Sequence, residues 1–266
     1  MPIFHAGSID LAIYVPPKCG ITKLKQLMEP ESPYPPDLFI EYEDGISLPR
    51  VKYRVIVVRS HPKRVLSTYY DKIVDPYHDA EGWRHNHASP NNDQTPYQGY
   101  ASFGHWVSAL AWNAWDGHIQ PYLVHPISRA AILQDFYQGE DCIFHFVSTE
   151  SLAGDLRVVL NEKLGLMLAH GKDWWRQRTA HSINYSTALP HPSNYGADMW
   201  SQVPYENLYN CFKDNNALPA PVLMYDDQTM ITLQSQLGYV CDQQYLRLFS
   251  EGAKDFFDNQ YHLFSI

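Results

Sequence analysis

The chain of 266 residues is short of positive charge, poor in cysteine and without long apolar runs. Twenty lysines and arginines stand against 29 aspartates and glutamates, for a formal net charge of −9. A protein held on nucleic acid by bulk electrostatics needs the opposite balance, so any anion site must be built locally from a few residues. Cys19, Cys142, Cys211 and Cys241 are scattered, with no C-x-x-C pair. That spacing supports neither a disulfide framework nor a zinc ribbon, and reduced thiols are expected. No apolar stretch is long enough for a bilayer, and the opening "MPIFHAGSID" lacks the basic-then-apolar pattern of a secretory signal. The expectation is a soluble, cytoplasmic protein with no transmembrane segment and no nucleic-acid partner. Also lacking is the phosphate loop G-x-x-x-x-G-K-[ST]: the lysine here precedes its glycine and no second glycine stands upstream at the required spacing.

What is present is a core-forming composition, 45% hydrophobic, arranged as strands alternating with helices. Short β-branched or aromatic runs bounded by turn residues predict strands at about 9–16, 51–58 and 141–148. A helical pattern follows each, at about 20–29, at 62–73 with Pro62 near its first position, and at 150–163 with Ser148 and Thr149 as N-cap candidates. Helices are also expected at 102–115, 127–136 and about 242–258. The alternation predicts an α/β fold with a mainly parallel sheet covered on both faces. Residues 74–101, rich in Pro, Asn, Asp and aromatics, have no clear period and read as a lid over a single domain of residues 1–266.

The stretch "IDLAIYVPPKCGITKLKQLM", residues 9–28, is a strand that ends at a double proline with a helix starting at once. Such a junction aims unpaired N–H groups and the positive end of a helix dipole at one spot, which suits phosphate or sulfate. Gly20 permits close backbone approach, Lys18 adds a positive charge and Thr22 a hydroxyl. In "YRVIVVRSHPKRVLSTYYDK", residues 53–72, Arg59 leaves a strand and Ser67 stands on the next helix, so the two can converge on one phosphate.

"PPKCGIT" resembles the 5′-phosphosulfate loop of sulfotransferases, Pro-Lys-x-Gly-[Ser/Thr]-[Ser/Thr], with Ile21 departing from it. Arg59, Pro62, Arg64, Ser67 and Tyr69 are similar to that family's 3′-phosphate segment, with Ser60 where an aspartate is usual. "SFGHWVSAL" and "DGHIQPYLVH" (102–125), "DCIFHFVSTESLAGDLRVVLNEKLGL" (141–166) and "TAHSINYST" (179–187) resemble the carbohydrate, HNK-1 and 2-O branch, with Gln120 and Pro121 in reversed order.

The resemblance implies a P-loop-like three-layer α/β/α fold. It also implies transfer of a sulfuryl group from 3′-phosphoadenosine-5′-phosphosulfate (PAPS) to an acceptor hydroxyl on a glycan, glycolipid or small molecule, without a metal. Lys18 would hold the leaving oxygen, and the backbone of Cys19, Gly20, Ile21, Thr22 and Lys23 the 5′ end. Arg59 and Ser67 would hold the 3′-phosphate. A neutral hydroxyl attacks poorly without a base, and histidine suits neutral pH. His118 is the choice, since the resemblance places an acceptor-side histidine there. His87 and His105 are the reserves, and Trp83 lines the acceptor entrance.

Each residue also has a plainer reading. Lys18 is a solvated lysine, Arg59 a structural ion pair at a sheet edge, and His118 a turn or core histidine. "RHNH" (84–87) sits outside the ββα context of the nuclease motif that shares its letters. Paired histidines lack a third metal ligand at a persuasive spacing. Trp112 and Trp115 fit a buried helix face. Two rival functions remain: a non-catalytic carbohydrate- or nucleotide-binding module on a degenerate sulfotransferase fold, and a P-loop kinase.

Overall fold

The computed structural model describes residues 3–29, 32, 34, 38–42, 51–74, 102–110, 117–122, 125, 143–163, 197–204, 207–208 and 224–251. Two compact units divide the chain: Met1–Arg59 with Tyr122–Ser182 and Tyr245–Ile266, and Ser60–Pro121 with Ile183–Gln244.

The first unit holds a mixed five-stranded sheet: β1 (Ile3–Ala6), β2 (Leu11–Tyr14), β3 (Ile40–Tyr42), β4 (Tyr53–Val58) and β5 (Ile143–Ser148), ordered β3-β1-β2-β4-β5. β2, β4 and β5 pair in parallel, while β1 runs antiparallel to both β2 and β3. Four strands therefore share one direction, so the sheet is mostly parallel, as the strand–helix alternation predicts. β2, β4 and β5 fall within the strand ranges read from sequence. β2 is buried at every position, the continuous apolar run of a strand with neighbours on both sides.

β1 and β3 escaped the sequence reading. They are four and three residues long, too short to show a period. The β1–β2 hairpin turns through a 3-10 turn, Gly7–Ile9, and Asp10 at φ 56°, a left-handed conformation that aspartate tolerates. Helices α1 (Ile21–Lys25) and, later in the chain, Leu152–Arg157 lend Leu24, Leu152 and Leu156 to the core around Ile13, Tyr14, Val55, Ile56 and Val57.

The described regular structure of the second unit is mainly helical, with one antiparallel bridge between Ser102 and Pro204. It contains α2 (His61–Tyr69), which runs into a π turn at Tyr70–Val74, α3 (Phe103–Ala109) and a 3-10 turn at Ala197–Gln202. With Leu152–Arg157 taken as α4, the last two helices are α5 (Asp227–Gln234) and α6 (Leu237–Glu251), whose residues from Tyr245 onward count with the first unit. Its core is aromatic: Tyr69 meets Phe103 at 5.1 Å and Trp106 at 5.4 Å, and Phe103 meets Tyr225 at 5.0 Å between ring centres. α5 is capped by Asp226, whose Oδ1 accepts from the Thr229 N–H at 2.7 Å.

Three local expectations change. α6 begins at Leu237, five residues before the expected 242, and α5 was not expected at all. Ser151, not Ser148 or Thr149, precedes α4. The two candidate hydroxyls are engaged elsewhere, Ser148 on Glu150 (2.5 Å) and Thr149 on the Val58 carbonyl (2.9 Å). The helix expected at 127–136 lies outside the described residues, as do Trp112, Trp115 and the lid expected at 74–101, except for Val74, which is buried in the π turn instead. Among the described residues, no helix is long and apolar enough to cross a membrane.

Candidate functional site

The parallel pairing of β2, β4 and β5 brings their C-terminal ends to one side of the sheet. From β2 the chain next enters the sheet at one edge, in β3; from β4 it next enters at the other edge, in β5. Adjacent parallel strands whose continuations part in this way mark the crevice where open α/β sheets take their ligands. Lys18 follows β2 and Arg59 follows β4, so both belong to that crevice within the first unit.

The loop after β2 is shaped by its prolines. The Cys19 N–H donates to the Pro16 carbonyl at 3.1 Å, closing a turn with Pro17 second and Lys18 third. Lys18 has φ 64°, a left-handed conformation usually given to glycine at the third place of a proline turn. A lysine there costs about 1–2 kcal/mol relative to an unstrained backbone. Gly20 has φ 88°, and a Cβ built on it would lie 3.0 Å from Leu152 Cδ2. The left-handed conformation favours glycine, and an added Cβ would need Leu152 to shift by a few tenths of an ångström.

From Gly20 the chain enters α1. Its first helical bond runs from the Leu24 N–H to the Gly20 carbonyl at 3.0 Å. The N–H groups ahead of Leu24 have no helical carbonyl to meet, and the capping residue is a glycine with no side chain to offer them. The Cys19 N–H, expected in the anion cradle, is used by the turn. Thr22 is exposed, and Ile21 and Lys23 are half-buried. Burial holds the Lys23 ammonium below the ordinary lysine range, so an adjacent anion would restore its preference for the charged form.

Arg59 reaches across to this loop, its Nη1 donating to the Lys18 carbonyl at 3.2 Å. Its Nε is buried with no hydrogen-bond partner among the described residues. The carbonyl contact is not the carboxylate pair of the plainer reading. A half-buried guanidinium facing one backbone carbonyl keeps donor capacity for a ligand. The sequence reading missed Tyr122, whose hydroxyl touches both strand ends: Arg59 N–H at 2.9 Å, Arg59 carbonyl at 2.8 Å and Cys19 Sγ at 3.3 Å. No local pattern announces it, since these partners stand 63 and 103 residues away in the chain.

Ser67 and His118 lie in the second unit. Ser67 is half-buried on α2. His118 is half-buried, and its carbonyl accepts from Thr68 Oγ1 at 3.2 Å. His105 is exposed in the first turn of α3, where its N–H donates to Ser102 Oγ at 3.2 Å. Trp83 and His87 lie outside the described residues. Arg64 is buried and donates to Asp242 Oδ2 at 3.2 Å, the Gly117 carbonyl at 3.3 Å and the Gln120 carbonyl. His61 meets the same carboxylate through Nδ1. Among the described residues, no group of three or more His, Cys, Asp or Glu stands where it could hold a metal ion.

No protein-family model, no curated protein and no solved structure matches the chain.

Proposed function

We propose that the chain is a PAPS-dependent sulfotransferase of P-loop-like three-layer α/β/α type, with the donor's phosphates received at the crevice between β2 and β4. The observation that carries this is the junction of Lys18 and Arg59 at the ends of those adjacent parallel strands, Arg59 Nη1 lying 3.2 Å from the Lys18 carbonyl. Two cations, a glycine in a left-handed conformation and the uncapped first turn of α1 make a local anion site in a chain of net charge −9. That combination is what a nucleotide carrying a 5′-phosphosulfate and a 3′-phosphate requires, and it agrees with the motifs around residues 16–23 and 53–72.

In the proposed reaction an acceptor oxygen attacks sulfur in line with the bridging oxygen of the donor. The new O–S bond forms as the sulfur–phosphate-oxygen bond breaks, the acceptor proton passes to a base, and adenosine 3′,5′-bisphosphate leaves. Lys18 would offset the charge that grows on the departing phosphate, where a preorganised cation contributes most. Arg59 would select for the 3′-phosphate. His118 as base and Ser67 as a further 3′-phosphate donor keep the roles that the resemblance implies, and His118→Ala and Ser67→Ala test them separately.

Calorimetric titration with adenosine 3′,5′-bisphosphate, beside ATP with magnesium, tests the donor site. Binding of the bisphosphate is expected and of ATP is not. Lys18→Ala and Arg59→Ala should each weaken it by about 10–100-fold, the loss of a charge-assisted hydrogen bond. A preference for ATP returns the kinase reading. Bisphosphate binding without sulfuryl transfer to any glycan or hydroxylated acceptor favours the binding module.

A further inference from the structure

We infer that Tyr122 is the positioning residue that sets Arg59 against the loop of Lys18, and so tunes the anion site without touching the anion. The Tyr122 hydroxyl accepts from the Arg59 N–H at 2.9 Å and donates to the Arg59 carbonyl at 2.8 Å. A phenol has one proton, and that proton is used on the carbonyl. In the 3.3 Å contact with Cys19 the thiol is therefore the donor and the phenol oxygen the acceptor. One buried oxygen thus binds the end of β4 on both its polar backbone groups, and the turn after β2 through a side chain.

The ring is held as firmly as the hydroxyl. Tyr122 is fully buried and packs on Tyr245, with ring centres 5.0 Å apart at 33°. Cys19 is fully buried as well, so its sulfur serves as a small internal donor. Hydrogen bonds joined through a shared oxygen reinforce one another in a low-dielectric interior. With both backbone groups of Arg59 fixed, its guanidinium reaches the Lys18 carbonyl from a defined starting point. Preorganised donors of this kind lose little freedom when a ligand arrives.

The consequence for the nucleotide rests on the donor-site reading, whereas the tie itself does not. Tyr122→Phe removes the hydroxyl and keeps the ring on Tyr245. Cys19→Ser keeps a donor, and Cys19→Ala removes it. The experiment measures adenosine 3′,5′-bisphosphate affinity by calorimetry and exchange of the Arg59 amide hydrogen by NMR in the wild type and these three variants. The expected result is a loss of about tenfold in affinity for Tyr122→Phe, with faster Arg59 exchange and unchanged exchange in α2 and α3. Cys19→Ala should fall between wild type and Tyr122→Phe, and Cys19→Ser should recover toward wild type, a rescue that a packing role alone would not produce.

Equal bisphosphate affinity in the wild type and Tyr122→Phe overturns the positioning role. If the wild type binds no bisphosphate, the donor reading fails and the exchange data alone decide the tie: faster Arg59 exchange in Tyr122→Phe upholds it, and unchanged exchange overturns it.

Discussion

Arg59 and Arg64, five residues apart in the chain, show what each unit does with a cation. In the second unit Arg64 is 1% exposed, faces the Asp242 carboxylate at 3.2 Å and donates to the carbonyls of Gly117 and Gln120. His61 closes on the same carboxylate, so the charge is answered from within. In the first unit the Arg59 guanidinium meets, among the described residues, one backbone carbonyl at 3.2 Å. Arg64 is thus part of its unit's internal packing, whereas Arg59, among the described residues, donates to a backbone carbonyl, as the proposed anion site requires. A structural ion pair, the plainer reading offered for Arg59, is seen at Arg64.

The sharpest way to break this contrast is to remove the carboxylate. Asp242→Ala strands a buried guanidinium and should cost about 3–5 kcal/mol of stability. Arg59→Ala, at a half-buried site whose guanidinium meets one carbonyl among the described residues, should cost no more than about 1 kcal/mol while it weakens bisphosphate binding by about 10–100-fold. Urea denaturation of both variants checks the pair, and equal losses of stability would erase the distinction.

A smaller effect sharpens the first unit's side. Gly20→Ala places a Cβ at φ 88° and 3.0 Å from Leu152 Cδ2, for an expected loss of about 1–2 kcal/mol. The same variant should weaken bisphosphate binding, because alanine disfavours the left-handed conformation that shapes the loop. Thermal denaturation and calorimetry on one sample measure both, and a variant as stable and as tight-binding as wild type would remove Gly20 from the account.

The smallest expected effect is on alkaline stability, to which both units contribute. Burial raises the phenol of Tyr34 in the first unit, and burial with the neighbouring Tyr69 and Tyr225 raises that of Tyr70 in the second. Folded pKa values above the unfolded one mean that the unfolded chain ionises first. The stabilising contribution is whole below about pH 10 and declines as pH rises beyond it. Lys23 has the opposite sign, because burial lowers its pKa, and its half-buried position makes it the weaker influence. Denaturation midpoints should therefore fall as pH rises beyond about 10, and Tyr70→Phe should flatten the fall.

The sequence was most legible where local pattern and tertiary role coincide. "LAIY" and "YRVIVV" announce β2 and β4 because buried parallel strands are apolar along their whole length. The turn at Lys18 and Gly20 was legible because prolines and glycine write conformation directly into sequence. β1 was hidden by its length of four residues and by His5 within it. Tyr122 was hidden for another reason: a tyrosine after a proline in a loop carries no period, and its importance comes from partners far along the chain. His61 and Asp242, 181 residues apart, are illegible on the same ground. The residues of the proposed anion site sit on patterned junctions, while the long-range partners around them are chosen by the fold.

The most direct measurement is calorimetric titration of adenosine 3′,5′-bisphosphate against adenosine 5′-monophosphate, in wild type and Arg59→Ala. If Arg59 is kept for a 3′-phosphate, the wild type prefers the bisphosphate and the variant loses that preference while retaining its weaker affinity for the monophosphate. Equal affinity of the wild type for both nucleotides, or a preference that survives Arg59→Ala, would contradict it.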